Sequence, residues 1–157
     1  MKARHGPFGA PGDRQRWAAN AMPPMMLSIS GELTKTVYES PLGMVINGGR
    51  VSDIFMSIEK SAVLGAGDGC SISGEVFVNG VSCLATRCSI SAISGESTQH
   101  KTTAIGGDTG IVQAVLDADA VDVSVGDIIS ATVTVNLTSS PDSQAQRLVL
   151  AVMFEPD

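Results

Sequence analysis

The sequence has few aromatic residues, few cysteines and no long apolar run. Aromatic residues make up only 4 % of the 157 residues, so the interior must rely on aliphatic side chains. No apolar stretch reaches the roughly 18 residues of a membrane-spanning helix, and glycine and proline interrupt the N-terminus where a signal peptide would have its apolar core. We therefore expect no contact with a membrane, and a protein that stays where it is made or leaves as part of a larger assembly.

Cysteine is too scarce for a disulfide framework. The chain has three cysteines, Cys70, Cys83 and Cys88, and no C-x-x-C pair. This odd number is typical of small buried thiols in a protein made in a reducing compartment. A bond between Cys83 and Cys88, which flank a predicted turn, is the alternative.

Histidine is also scarce, which limits catalytic and metal sites. His5 and His100 lie far apart in the sequence, and no group of His, Cys and Asp has the spacing of zinc ligands. The S-x-x-K sequence at 57–60 lies in an alternating, strand-like segment, whereas the corresponding lactamase motif begins a helix. No combination of nucleophile, base and orienting acid is recognisable. We therefore expect a protein without enzymatic activity and without a cofactor or metal.

One acidic segment requires a separate interpretation. Asp117, Asp119 and Asp122 offer oxygen ligands, but the segment lacks the central glycine and terminal glutamate of an EF-hand loop. A solvated acidic turn is the favoured interpretation, and calcium binding is the alternative.

The composition indicates a folded, all-β domain. Apolar residues make up 43 % and charged residues 17 %, and Gly, Ser, Thr and β-branched residues are frequent. Short alternating segments are separated by turn signals, which predicts about eight strands and no helix, as in a β-sandwich or barrel. Segments 25–30 and 32–40 are predicted edge strands.

A β-hairpin is the clearest local prediction. Residues 70–78 alternate, Asn79-Gly80 provides the two positive φ values of a type I′ turn, and Val81 begins the return strand. Residues 95–110 are predicted to form a long polar loop. Segment 111–123 is ambiguous, because its first half suits either a strand or a helical turn.

Alternation also predicts which side chains face the core. In 50–60, Ile54, Met56 and Ile58 share one face and Phe55 lies on the other. After a turn at Gly126-Asp127, the next strand presents one apolar face: Ile129, Ala131, Val133, Val135 and Leu137. In the last strand the corresponding residues are Leu148, Leu150, Val152 and Phe154.

The charge is divided unevenly between two parts of the chain. Residues 1–26 hold four basic residues and one acid, a net charge of +3, whereas 27–157 hold six basic residues and fifteen acids, a net charge of −9. The first part is rich in proline and glycine. We therefore predict an extended basic N-terminal arm (1–26) and a β-sandwich body (27–157) that does not bind nucleic acid.

Four segments carry a resemblance to a known family. They are GGRVSDIFMSIEK (48–60), SISGEVFVNGVSCLAT (71–86), GDTGIVQAVLDADAVDVSVGDIISATVTVNL (107–137) and RLVLAVMFEP (147–156). In this order they resemble the jelly-roll decoration, or cement, proteins on the heads of tailed bacteriophages, over about residues 45–156.

The resemblance implies both a fold and a role. The fold would be a jelly-roll-like antiparallel β-sandwich, bound to the outer surface of the virion after synthesis in the host cytoplasm. The role would be structural: a homotrimer that stabilises joints between major capsid proteins. A receptor- or carbohydrate-binding sandwich of a phage fibre or spike is the alternative, although sugar sites usually need exposed aromatic rings.

This role would give the arm a purpose. An extended arm of about 25 residues spans up to roughly 80 Å, farther than the body alone can reach. We expect it to order only on a partner, where Arg4, Phe8, Arg14, Arg16 and Trp17 are the predicted contacts with the capsid.

Overall fold

The computed structural model describes residues 22–65, 68–92, 101–138 and 143–156. Within these residues the chain forms thirteen β-strands and no helix, and therefore no helix that could cross a membrane. The strands are β1 (Met25–Glu32), β2 (Val37–Met44), β3 (Gly49–Lys60), β4 (Cys70–Val78), β5 (Val81–Ser82), β6 (Leu84–Thr86), β7 (Cys88–Ser91), β8 (Lys101–Thr102), β9 (Ile111–Val112), β10 (Val115–Leu116), β11 (Asp122–Val123), β12 (Ile128–Leu137) and β13 (Gln146–Pro156).

The strands form two main antiparallel sheets. The first sheet has the order β1-β13-β3-β11, and β8 also pairs with β3. The second has the order β2-β12-β4-β7-β9, and β5 also pairs with β4. A small two-stranded sheet joins β10 to β6. The predicted edge strands β1 and β2 do lie at the edges of the two main sheets.

The strand order is that of a jelly roll. The short strands β8 and β11 pair with opposite ends of β3 and together occupy one strand position. The strands can be renumbered by counting β7 as the fifth strand, the interrupted position of β8 and β11 as the sixth, β12 as the seventh and β13 as the eighth. The order of strands is then 1-8-3-6 in the first sheet and 2-7-4-5 in the second. The prediction of an all-β, jelly-roll-like sandwich is confirmed. The chain has more strands than the predicted eight because several positions are split into two-residue pieces.

The core lies between the two sheets. Ile54, Met56 and Ile58 of β3 are buried and Phe55 is half-buried, as the alternation predicts. Ile129 to Val135 on β12 also follow the pattern, but the prediction for Leu137 is wrong: this last residue of β12 is exposed at the rim of the sandwich.

Gly74 marks the closest approach at the centre of the core. A Cβ atom there would lie 2.5 Å from Leu150 Cδ1 and 3.0 Å from Cys88 Sγ. The glycine therefore allows β13 of the first sheet to pack directly against β4 and β7 of the second.

The predicted hairpin joins β4 to β5. Asn79 and Gly80 have φ values of 50° and 83°, as a type I′ turn requires, and Val78 pairs with Val81. Gly126, in the predicted turn before β12, also has a positive φ, of 97°. Both turn predictions are confirmed.

The polar loop prediction for 95–110 is wrong at its centre, while 95–100 lie outside the described residues. Lys101 and Thr102 form β8, and Lys101 and Thr103 are buried. Thr103 is tolerated there because its Oγ1 accepts a hydrogen bond from Met56 N at 2.7 Å. The ambiguous segment 111–123 forms three short strands rather than a helical turn.

All three cysteines are free and buried, as predicted, so the alternative disulfide is wrong. The Cys83 and Cys88 thiols donate to the backbone oxygens of Val76 and Gly74, at 3.4 and 3.7 Å. Burial raises the pKa of Cys83 to about 11 and also raises the pKa values of Cys70 and Cys88. The thiols therefore pack as small apolar groups.

Candidate functional site

One end of the sandwich presents a cluster of exposed aliphatic side chains. Three connections meet there: β2–β3, β4–β5 and β11–β12. Their large apolar residues are 46–68 % exposed, which is unusual for side chains of this kind gathered at one place. We call this cluster the apolar end; its members are Met44, Ile46, Val81, Val125 and Ile128.

Strand pairing places three of these residues at one end of the second sheet. Met44 at the end of β2 pairs with Ile128 at the start of β12. The next residue of β12, Ile129, pairs with Val78, which in turn pairs with Val81 across the hairpin. Met44, Ile128 and Val81 therefore lie at the same end of four neighbouring strands, β2, β12, β4 and β5, with Met44 and Ile128 on one face of the sheet and Val81 on the other.

The hairpin turn is fixed to the β11–β12 turn by the Asn79 side chain. Asn79 Nδ2 donates to Asp127 Oδ1 at 2.8 Å, and Asn79 Oδ1 accepts from Ile128 N at 2.9 Å. The backbone contributes a further bond, from Asn79 N to Ile128 O at 2.9 Å. These bonds hold Val81 and Ile128 in a defined arrangement.

Asp127 also closes its own turn. Its Oδ2 accepts a hydrogen bond from Ser124 N at 2.7 Å. This bond, followed by that from the Asn79 amide, holds the pKa of the Asp127 carboxyl below its ordinary value. The turn that presents Val125 is therefore held by an ionised carboxylate at neutral pH.

The β2–β3 connection is attached to the same turn through its backbone. Val45 N donates to Asp127 O at 2.8 Å, and Gly126 N donates to Val45 O at 2.9 Å. Val45 is fully buried, whereas its neighbours Met44 and Ile46 are exposed. The β2–β3 and β4–β5 connections are therefore both hydrogen-bonded to the β11–β12 connection.

The N-terminal arm leaves the body beside this end. Met25 begins β1 and pairs with Val152, four residues before the end of β13 at Pro156. A Cβ atom at Gly43 would lie 3.5 Å from the Met25 Sδ and Cε atoms, so Met25 packs next to the strand position of Met44. Met22 is buried in the core, and the folded body therefore already includes residues before 27.

The predicted contact residues of the arm, Arg4, Phe8, Arg14, Arg16 and Trp17, lie outside the described residues.

Exposed charges lie close to the apolar end and are mostly acidic. Asp122 and Glu155 are the partners of Arg50 in the two neighbouring strands, and Asp127 lies in the adjacent turn. Near the start of β3, Arg50 thus lies between two acidic residues on the neighbouring strands.

No family model and no curated protein matched the chain.

The other candidate sites can also be located. In the described parts of the chain, no group of three or more His, Cys, Asp or Glu side chains is placed to hold a metal ion. Asp119 and Asp122 are exposed, and the Asp117 carboxylate accepts a hydrogen bond from Asp119 N at 3.1 Å, which closes a turn. The S-x-x-K segment at 57–60 lies on β3, as its alternation predicted.

The four aromatic side chains in the described residues are half-buried rather than exposed. They are Tyr38, Phe55, Phe77 and Phe154. The tyrosine hydroxyl also accepts a hydrogen bond from Lys35 N at 3.0 Å.

The sequence pattern did not single out the apolar end, although a signal for it is present. Ile128 lies on the same side of β12 as Ser130, Thr132 and Thr134, so it is the apolar member of an otherwise polar face. Val125 is similarly apolar within a polar turn. An apolar residue on the polar face of a strand, or within a polar turn, was the sequence signal that could have predicted the apolar end.

Proposed function

We propose that the protein is a capsid decoration, or cement, protein of a tailed bacteriophage. In this proposal the apolar end and the N-terminal arm bind the outside of the head and stabilise joints between major capsid proteins. The role is structural, with no catalytic residue and no cofactor. The observation that carries the proposal is that a preorganised apolar surface lies beside the root of a basic arm.

The apolar end has the properties of a contact surface. Its side chains are exposed, yet the turns that present them are hydrogen-bonded to one another. A partner would therefore bury apolar area without first having to order these turns, which reduces the entropic cost of binding. Apolar groups of this kind form the centre of protein interfaces.

The arm extends the same contact over a greater distance. The 21 residues before Met22 span up to roughly 70 Å when extended. Arg4, Arg14 and Arg16 would meet acidic groups of the shell, and Phe8 and Trp17 would serve as apolar anchors. Because the arm begins beside the apolar end, both would face the same particle.

Self-association as a homotrimer is part of the proposal. Among the described strands, β1 pairs only with β13 and β2 only with β12, so each sheet has an open edge on this side of the sandwich. Cyclic assembly on the shell would cover such edges, which otherwise favour aggregation. Electron cryomicroscopy of decorated heads tests this part: isolated monomers on the shell would contradict it.

Two observations support the proposal of a decoration protein: the four segments quoted above and the jelly-roll strand order. The alternative, a carbohydrate- or receptor-binding sandwich of a fibre or spike, is less favoured because the described aromatic rings are half-buried.

Binding to expanded, emptied phage heads, measured by co-sedimentation titration, tests the proposal. The proteins compared are the full-length chain, a chain lacking residues 1–21, Ile128→Ser, and Leu137→Ser as the matched control at the opposite end of β12. In the proposed complex the Ile128 side chain would be buried against the capsid. Its removal should therefore lower the affinity about tenfold or more, since each 1.4 kcal/mol of binding free energy is a factor of ten. The control should bind like the full-length protein.

Deletion of the arm should also weaken binding. Raising the salt concentration should lower the affinity of the full-length protein more than that of the deleted chain, because the arm contributes the basic groups. Failure of the full-length protein to bind, or equal binding by all four proteins, would contradict the proposal.

A further inference from the structure

The outer face of the first sheet carries an apolar patch that is separate from the core. Met26 of β1, Ala151 of β13 and Phe55 of β3 pair in one row across the sheet. The residues next to them in each strand pack into the core, so this row faces outward. Val149 and Met153 lie two positions on either side of Ala151 and share its face. We call these five residues the outer patch.

The outer patch is covered only in part. Ala151 at its centre is 4 % exposed, yet it does not belong to the core cluster of the described residues. Met26 is 58 % exposed, and the other three members are half-buried. Polar residues of the same face border the patch, among them Ser28, Ser57 and Asp53. A second layer placed on the outer patch would therefore remove apolar surface from water.

Each end of the outer patch is bordered by one acidic and one basic residue. At one end, Arg147 Nη1 donates to both carboxylate oxygens of Glu59, at 2.7 and 2.8 Å. At the other end, Glu155 of β13 pairs with Arg50 of β3, and both residues are exposed. The signs are thus exchanged between the strands: β13 has its base at the first end and its acid at the second, and β3 has the reverse. Ala151 lies midway, roughly 13 Å from either end.

We propose that, in the free protein, two copies of the chain pack their outer patches face to face around a two-fold axis at Ala151. The two β13 strands then run antiparallel, so that Arg147 of each copy faces Glu155 of the other. On β3, Glu59 of each copy likewise faces Arg50 of the other. Such an interface is self-complementary, as two-fold symmetry requires. The second layer of each outer patch is therefore the same sheet of another copy, in aligned sheet packing.

The charges select this orientation over the other two-fold arrangement. If the axis ran along the strands, the two β13 strands would be parallel, and Arg147 would face Arg147 and Glu155 would face Glu155. Like charges that face each other across an interface cost free energy, whereas the antiparallel arrangement pairs every acid with a base. The inference goes beyond the proposed function, because it uses neither the apolar end nor the open edges of the sheets.

The size of the face sets the expected affinity. From Arg147 to Glu155 the face is roughly 27 Å long, and three strands make it roughly 14 Å wide. This footprint is at the low end for protein interfaces, where association is weak and reversible. We therefore expect a dimer with a dissociation constant in the micromolar range.

Sedimentation equilibrium of the free protein tests the inference, over concentrations from roughly 1 to 500 μM. The native chain is compared with Arg147→Glu and with Glu155→Arg. Glu39→Arg is the matched control, because it makes the same change of charge on an exposed residue of β2 in the second sheet. All replaced residues are exposed, so the variants should fold, which circular dichroism checks.

The native protein and Glu39→Arg should change from monomer to dimer as the concentration rises. In Arg147→Glu and in Glu155→Arg, the symmetry creates two contacts between like charges per dimer, so the dissociation constant should rise about tenfold or more. An equimolar mixture of these two variants should associate nearly as tightly as the native protein, because their heterodimer pairs an acid with a base at both contacts.

A second pair of variants, Glu59→Arg and Arg50→Glu, makes the same test on β3. Each should associate weakly alone, and their mixture should recover the native affinity. This pair decides the outcome if a variant of the first pair does not fold.

Three outcomes would overturn the inference. They are a native protein that stays monomeric at every concentration, single variants that associate like the native protein, and mixtures that do not regain affinity. A native trimer in solution would also contradict it. Since no phage heads are present, this test can fail without the proposed function failing, and the reverse also holds.

Discussion

Asn79 combines two roles that are usually separate. Its positive φ of 50° allows the tight hairpin turn, and its side chain bonds both to Asp127 and to the backbone of Ile128. Asparagine suits this position because it tolerates the left-handed region better than other residues with side chains. The residue that closes the hairpin therefore also positions the apolar end.

Replacing Asp127 with Asn should make stability less dependent on pH. The lowered pKa of Asp127 means that its carboxylate stabilises the folded state above the pKa of the unfolded chain, about 4, and that this contribution is lost as the pH falls through the lower folded value. Asp127→Asn should therefore be less stable than the native protein at neutral pH. The difference should shrink in acid, as measured by urea unfolding.

Asp119→Asn is the matched control, since this carboxylate is exposed on a different turn. A deficit of Asp127→Asn that stayed constant into strong acid would indicate that the carboxylate charge is not responsible.

At the level of elements, the start of the body is defined by two methionines with opposite surroundings. Met22, just before β1, is buried in the core, whereas Met26 within β1 is 58 % exposed. The two residues are chemically identical and only four positions apart. Comparing substitutions at the two positions therefore shows how burial, rather than residue type, affects the stability of the protein.

We expect Met22→Ala to destabilise the protein by about 2 kcal/mol, the lower range for truncating a buried methionine, because the site lies near the chain's exit from the core. Met26→Ala should change the free energy of unfolding by less than about 0.5 kcal/mol. Chemical denaturation of both variants measures the difference. Equal effects would place the start of the folded body after Met22.

Much of the fold follows from local sequence. In β3, β12 and β13 the alternation of apolar and polar residues predicts which face is buried. Asn79-Gly80 predicts a type I′ turn, because few other residue pairs accept two positive φ values. The sheet order did not follow from spacing, because it depends on which distant strands pair. The resemblance to decoration proteins implied the jelly roll, and the strand pairing then showed it.

The errors have physical causes. Lys101 and Thr103 look like loop residues, but Thr103 is buried because its hydroxyl has a hydrogen-bonding partner on β3, and Lys101 Nζ donates to Ser91 O at 3.4 Å. Such long-range partners leave no local signal. The apolar end differs, because Ile128 and Val125 stand out locally as apolar residues in polar surroundings, but Met44 and Ile128 become neighbours only when β2 pairs with β12.

At the scale of the whole molecule, one continuous core includes all three thiols. Cys70, Cys83 and Cys88 belong to the same cluster of buried residues between the sheets. We therefore expect the three thiols to become accessible together, when the sheets separate, rather than one at a time.

The thiols should be almost unreactive toward a thiol reagent in native buffer at mildly alkaline pH. Burial blocks access, and the raised pKa values, about 11 for Cys83, leave little thiolate. In denaturant all three should react. With increasing denaturant, the labelling rates of the three cysteines should rise together, as peptide mapping by mass spectrometry can measure. Rapid labelling of one cysteine in native buffer would instead reveal a local opening.

The position of β13 has a consequence for synthesis of the chain. This strand is the last of the described strands to be translated, yet it lies between β1 and β3 and supplies the strand partner along both. Until residues 146–156 leave the ribosome, β1 and β3 lack their main pairing partner. The first sheet can therefore assemble only after β13 has been translated, and a nascent chain stalled before β13 would present unpaired strands to chaperones or to other nascent chains.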